Sequence, residues 1–143
     1  MLLILLCAAW ISGSGNMAVV IQDDGSSFSV IATTGEPYFV MGTLPGERFS
    51  YPVSKNFMIY CLSSSRGLLE IDMLSGVWKV ITPERTGAPW LDSSSDLWYT
   101  LNGSLYCNGE FFCDDVDAFH VSVEGGFASY TDHDDNLHIR DLT

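Results

Sequence analysis

AWISGSGNMAVV (residues 9–20) and PWLDSSSDLWYT (residues 89–100) share one layout, and whether the first is a removable leader or a copy of the second decides the fold. Trp10 aligns with Trp90, Ile11 with Leu91, Met17 with Leu97 and Val19 with Tyr99, an offset of 80 residues. Half that offset holds another copy, SYPVSKNFMIYC from Ser50, with Tyr51 and Phe57 in the apolar slots. There Lys55-Asn56 stands where the other copies have Gly15-Asn16 and Ser95-Asp96. A fourth copy, HVSVEGGFASYT, starts at His120, with Val121, Gly125-Gly126 and Phe127 in matching places. The chain therefore reads as a single domain of four units, near residues 10–49, 50–89, 90–119 and 120–143. A strand-built repeat of about 40 residues points to propeller blades.

Each unit is a run of short β-branched and aromatic segments separated by turn residues. AVVIQ, FSVIA and PYFVM follow one another in the first unit, and FMIYC, LLEID and VWKVI in the second. The third is the clearest. Asn102-Gly103 and Asn108-Gly109 are two-residue turns that tolerate positive φ at both centres, and they fold LWYTL, SLYC and EFFC into antiparallel strands. Outside the Leu-rich first nine residues, no stretch sustains a 3.6-residue apolar stripe with helix caps. We expect an all-β chain, a small β-propeller-like array of about four blades with three to four antiparallel strands each.

The N-terminus admits two readings. Apolar residues 2–11 followed by small residues match a secretory leader, but no Lys or Arg precedes them. Trp10 and Ile11 fill strand slots that cleavage near Gly13 would empty. The fourth unit stops at Asp141-Leu142-Thr143, after its third strand. We therefore expect residues 2–7 to supply that blade's missing outer strand and leave fewer unpaired edges.

Hydrophobic residues at 47% and aromatics at 13% exclude a disordered chain, and 143 residues suffice for a real core. The net charge is −12, and residues 86–139 hold ten Asp+Glu with no Lys or Arg. Such a region repels nucleic acid and anionic membranes, so neither is expected as a partner. It reads first as a solubilising acidic surface and, as a docking face, suits a protein with a basic surface.

Cys7, Cys61, Cys107 and Cys113 lack CxxC spacing. With Asn108-Gly109 as a two-residue turn, Cys107 faces Glu110 and Cys113 faces Ser104, which places the two thiols on opposite faces. Buried free thiols are the reading, and they tilt the location towards a reducing, intracellular compartment. A leader in residues 1–15 would make the protein secreted. Asn102-Gly103-Ser104 is formally a glycosylation acceptor, although the turn already accounts for it.

Chemistry-bearing residues concentrate in TDHDDNL (residues 131–137) and in Asp114, Asp115 and Asp117. Asp132, Asp134 and Asn136 alternate like the opening of a calcium loop, but Leu137 stands in place of the turn Gly and Thr143 in place of the bidentate Glu. An acidic inter-strand turn explains them, because Asp and Asn hydrogen-bond their own backbone. His120, His133 and His138 have no GxSxG elbow or Cys-centred signature beside them, and no phosphate loop is present. No cofactor, metal or catalytic residue is expected.

ASYTDHDDNLHIRDLT (residues 128–143) resembles the second half of a WD40-type repeat, a strand, an acidic turn and a strand ending in Trp-Asp. Arg140 stands in place of that Trp before Asp141, and Glu70-Ile71-Asp72-Met73 keeps the Asp without the Trp. The resemblance implies a scaffold for protein interactions. The expected function is a non-catalytic binding module engaging a basic protein through Asp114, Asp115, Asp117, Asp132, Asp134 and Asp135. The rival is a secreted or periplasmic propeller, an enzyme or glycan binder, using the same loops. Homo-oligomers are expected if the chain is an incomplete propeller.

Overall fold

The computed structural model describes residues 8–14, 17–22, 26–32, 37–40, 42–117, 121–124 and 126–142. These residues hold four antiparallel meander sheets and no helix. The first comprises β1 (Ala8–Ser14), β2 (Met17–Gln22), β3 (Phe28–Ala32) and β4 (Pro37–Val40). The second comprises β5 (Phe49–Lys55), β6 (Met58–Ser63), β7 (Gly67–Asp72) and β8 (Trp78–Thr82). The third runs through β9 (Trp90–Leu91), β10 (Leu97–Leu101), β11 (Ser104–Cys107) and β12 (Glu110–Cys113). The last has β13 (Val121–Glu124), β14 (Phe127–Thr131) and β15 (Leu137–Asp141). Neighbours in sequence are neighbours in every sheet, the arrangement of propeller blades. The fold class is thus all-β and propeller-like, in four blades. The expected closing strand at residues 2–7 lies outside the described residues.

The chain divides into two compact units, Met1–Arg85 and Thr86–Thr143. In the first, Val19, Ile21, Phe28 and Val30 pack with Phe49, Ile59, Cys61, Leu69 and Ile71 in one apolar core between two sheets. Phe28 and Phe49 meet edge to face at 5.4 Å. In the second, Trp98, Leu105, Cys113, Val116 and Tyr130 form the core, with Trp98 edge-on to Phe112. Alternation along β6 sends Ile59, Cys61 and Ser63 inward, so a short run suffices to line the core.

The expected turns form. Asn102 and Gly103 have φ of 52° and 77°, and Asn108 and Gly109 have 50° and 86°, the double positive φ of a tight hairpin. Two registers differ from expectation. In the second sheet Lys55 pairs with Met58, so the turn is Asn56-Phe57 and Phe57 sits at φ 64° in the turn instead of opening a strand. Its ring packs on the first core, which offsets the strain of a bulky residue in that conformation. In the third sheet Cys107 pairs with Glu110 as expected, but a bulge at Leu105/Tyr106 brings Cys113 opposite Leu105 instead of Ser104. Cys61, Cys107 and Cys113 are free thiols.

Sequence reasoning also missed a buried ion pair in the first unit. Glu47, before β5, is fully buried and accepts hydrogen bonds from Ser63 Oγ and from Leu44 N at 2.8 Å. Arg66 Nε lies 3.1 Å from its Oε1, and Arg66 Nη2 donates to Gly42 O at 2.8 Å. The guanidinium also lies 4.7 Å from the centre of the Trp78 ring. This ties the segment entering the second sheet to the β6–β7 turn, and removing either charge would leave the other buried and unpaired.

Candidate functional site

At one end of the second unit three connections meet: the Asn102-Gly103 turn, residues 114–117 after β12, and residues 132–136 between β14 and β15. Val116, buried in the core, anchors the middle one, and its N–H donates to Gly103 O at 2.8 Å. Asp117 N donates to Thr131 O at 2.8 Å. Asp115 adopts φ 55°, which Asp tolerates better than most residues. Its Oδ1 meets His133 Nδ1 at 2.6 Å, joining the two acidic loops. The His133 ring lies beside Gly103, where a Cβ would come within 3.4 Å of Cε1.

The 132–136 loop is built around one carboxylate. Asp132 Oδ1 accepts from Asp134 N at 3.0 Å and Asn136 N at 2.9 Å. Its Oδ2 meets the Asn136 amide at 3.1 Å and His138 Nε2 at 2.8 Å. The His138 ring stacks on Tyr130, 5.0 Å between centres. Hydrogen bonds from His138, then from Asn136, hold the Asp132 carboxyl well below the usual range. The hydrogen bond with Asp115 raises the His133 imidazole above its ordinary value, with the charges of Asp115, Asp117 and Asp132 adding to it.

The six acids singled out in the sequence therefore divide by role. Asp132 is buried and committed to its own loop, and Asp115 is tied to His133. Asp114, Asp134 and Asp135 are exposed, whereas Asp117 is half-buried. The sequence reading did not pair His133 with Asp115 or His138 with Asp132. A usable signal was present in DSSSDLW (residues 92–98) and DHDDNLH (residues 132–138), which align Asp with Asp and Trp98 with His138.

Among the described residues no group of three or more His, Cys, Asp or Glu side chains is placed to hold a metal ion. The three described thiols, Cys61, Cys107 and Cys113, are poor nucleophiles. Burial pushes Cys61 up to about 12 and Cys107 up to about 11, and raises Cys113 as well, so all three stay protonated at neutral pH.

No family model matches the chain, and no curated protein matches it in sequence. Solved structures share its fold. The computationally designed Ika4 protein superposes with a TM-score of 0.65 at 11% identity, over 93% of this chain and 89% of that one. BamB from Moraxella catarrhalis gives 0.65 at 12% identity over 92% of this chain but 45% of its own. YCF48 bound to D1 peptide gives 0.55 at 13% identity over 95% of this chain and 51% of its own. The chain thus spans about half the length of these two natural proteins. The likeness is one of fold.

Proposed function

We propose that the chain is a non-catalytic protein-binding module of β-propeller type whose acidic loop end takes a Lys/Arg-rich segment of a partner protein. One observation carries this reading. The 114–117 and 132–136 loops are fastened side by side through Asp115 and His133, leaving Asp114, Asp134 and Asp135 exposed in a region without Lys or Arg from residue 86 to residue 139. Fixed carboxylates of one sign steer a basic partner and pair with it at little ordering cost. The propeller-like fold agrees with the role, since its neighbour YCF48 was solved with a peptide bound.

The test is fluorescence anisotropy of a labelled Lys/Arg-rich peptide, with a Glu-rich peptide of equal length as control. The basic peptide should bind, weaken steeply between about 50 and about 300 mM salt, and lose about tenfold in affinity to D114N/D134N/D135N. Equal binding of both peptides, or no effect of the triple substitution, would overturn the reading. Saccharide binding or turnover that depends on the same three residues would establish the rival.

A further inference from the structure

We propose that His133 is a built-in competitor for the partner's cation: it occupies Asp115, and a basic segment gains that carboxylate only when His133 is without its proton. This deepens the reading of the acidic loop end as a binding site and rests on it. Residues 86–139 contain no Lys or Arg, so positive charge within that stretch comes from His120, His133 or His138. His120 lies outside the described residues, and His138 is bonded to Asp132 and stacked on Tyr130. Arg140 stands near the far end of β15, opposite Ala128, hydrogen-bonded to Tyr130. That leaves His133 to carry a cation among the exposed acids. Its Nδ1 lies 2.6 Å from Asp115 Oδ1, and its backbone N lies 3.5 Å from the same oxygen. Both side chains are largely exposed, so a partner's Lys or Arg can reach the carboxylate that the imidazole now holds.

Charge decides the direction. The groups facing His133 are Asp115 and Asp117 from the 114–117 loop and Asp132 from its own loop, while the Asn102-Gly103 turn brings Gly103 against the ring. All three are carboxylates and favour the imidazolium. A protonated His133 therefore cancels one negative charge at the loop end and covers Asp115. Loss of the proton restores that charge. Val116 N donates to Gly103 O and Asp117 N to Thr131 O, each at 2.8 Å, and neither bond involves the imidazole. They keep the 114–117 loop beside its neighbours in both states, so Asp115 is uncovered without being carried away. Basic segments then bind more tightly as pH rises through the His133 transition, and by linkage a bound segment draws that transition down.

Fluorescence anisotropy of a labelled, acetylated Arg-rich peptide without histidine tests this from about pH 5.5 to about pH 8.5 at fixed ionic strength, since Arg keeps its charge across that range. Affinity of the wild type should rise at least about fivefold with pH. His133→Gln, which cannot titrate, should bind at the wild type's high-pH strength throughout, and His133→Arg, permanently charged, at its low-pH strength. In an NMR titration, saturating peptide should lower the His133 midpoint of the wild type. Peptide binding that is salt-dependent and lost in D114N/D134N/D135N but unchanged with pH, or that keeps its pH dependence in His133→Gln, would overturn this proposal and leave the binding reading standing. So would tighter binding at acid pH, which would assign His133 to shaping the site. No binding at any pH would overturn both.

Discussion

Residues 92–98, DSSSDLW, and residues 132–138, DHDDNLH, fold alike at different places in their sheets, one joining β9 to β10 and the other β14 to β15. In each, the first Asp accepts from the backbone N–H two and four residues on: Asp92 Oδ1 from Ser94 at 2.8 Å and Asp96 at 3.0 Å, Asp132 Oδ1 from Asp134 and Asn136. The fourth residue takes positive φ in both, 73° at Ser95 and 64° at Asp135. Each second carboxylate oxygen meets a ring nitrogen six residues on. The donor to Asp92 is Trp98 Nε1 at 2.9 Å, and the partner of Asp132 is His138 Nε2. The difference lies in that ring. Trp98 is an indole buried in the core, whereas His138 is an imidazole that is only half-buried. One carboxylate-centred turn serves either as a fixed corner or as a support for a solvent-facing acidic loop.

The largest expected effect sets the two rings against each other. Trp98→Ala removes a core ring that meets Phe112 at 5.2 Å and also strands the Asp92 oxygen, so it should cost about 3–5 kcal/mol. His138→Ala removes a half-buried ring and should cost markedly less. Urea denaturation of both variants measures the gap, and equal losses would mean that the two turns carry the same structural weight.

Next in size is the acid response of the second turn. The folded-state carboxyl of Asp132 is depressed, so its stabilisation is fully present above the unfolded value of about 3.9. It is lost as pH falls through the lower folded value. Asp132→Asn keeps one acceptor for the backbone N–H groups but removes the charge, and should flatten the acid limb of the stability curve below about pH 4. Urea midpoints measured from neutral pH down to about pH 2 check this, and parallel curves for wild type and variant would refute it.

Much of this comparison was legible in the residues and part was not. The hairpins at Asn102-Gly103 and Asn108-Gly109, and strands such as Phe28–Ala32 and Leu97–Leu101, follow from turn chemistry and β-branched runs, which act locally. Phe57 in a turn did not follow, because an aromatic beside a strand reads as its first residue unless tertiary packing of its ring holds it elsewhere. The bulge that shifts Cys113 by one place leaves no composition signal. Glu47 with Arg66 is a pair of ordinary charges 19 positions apart, and only the fold brings them together. At the acidic end the carboxylates were visible in sequence. Their division into exposed Asp134 and Asp135 and a committed Asp132 depends on which N–H groups the loop turns inward.

The smallest expected effect concerns the residue after the first Asp, which is Ser93 in one turn and His133 in the other. His133 reaches across to Asp115 at 2.6 Å, and that bond raises its pKa above the ordinary value. A raised imidazole contributes stability that is fully present below the unfolded value of about 6.5 and is lost as pH rises through the folded one. The pair is largely exposed, with side-chain exposures of 62% and 59%, so screening keeps its effect on global melting small. The loop, not the fold, should register the change. In an NMR titration the His133 imidazole should titrate above about 6.5 in the wild type and move back towards that value in Asp115→Asn. Amide protection in residues 114–117, measured against the intrinsic exchange rate at each pH, should fall above the His133 transition in the wild type and lose that dependence in His133→Gln, which cannot titrate. A His133 titration unmoved by Asp115→Asn would show that the hydrogen bond does not set the pKa. Protection in residues 114–117 that stays constant with pH in the wild type would show that the two acidic loops are held together without it.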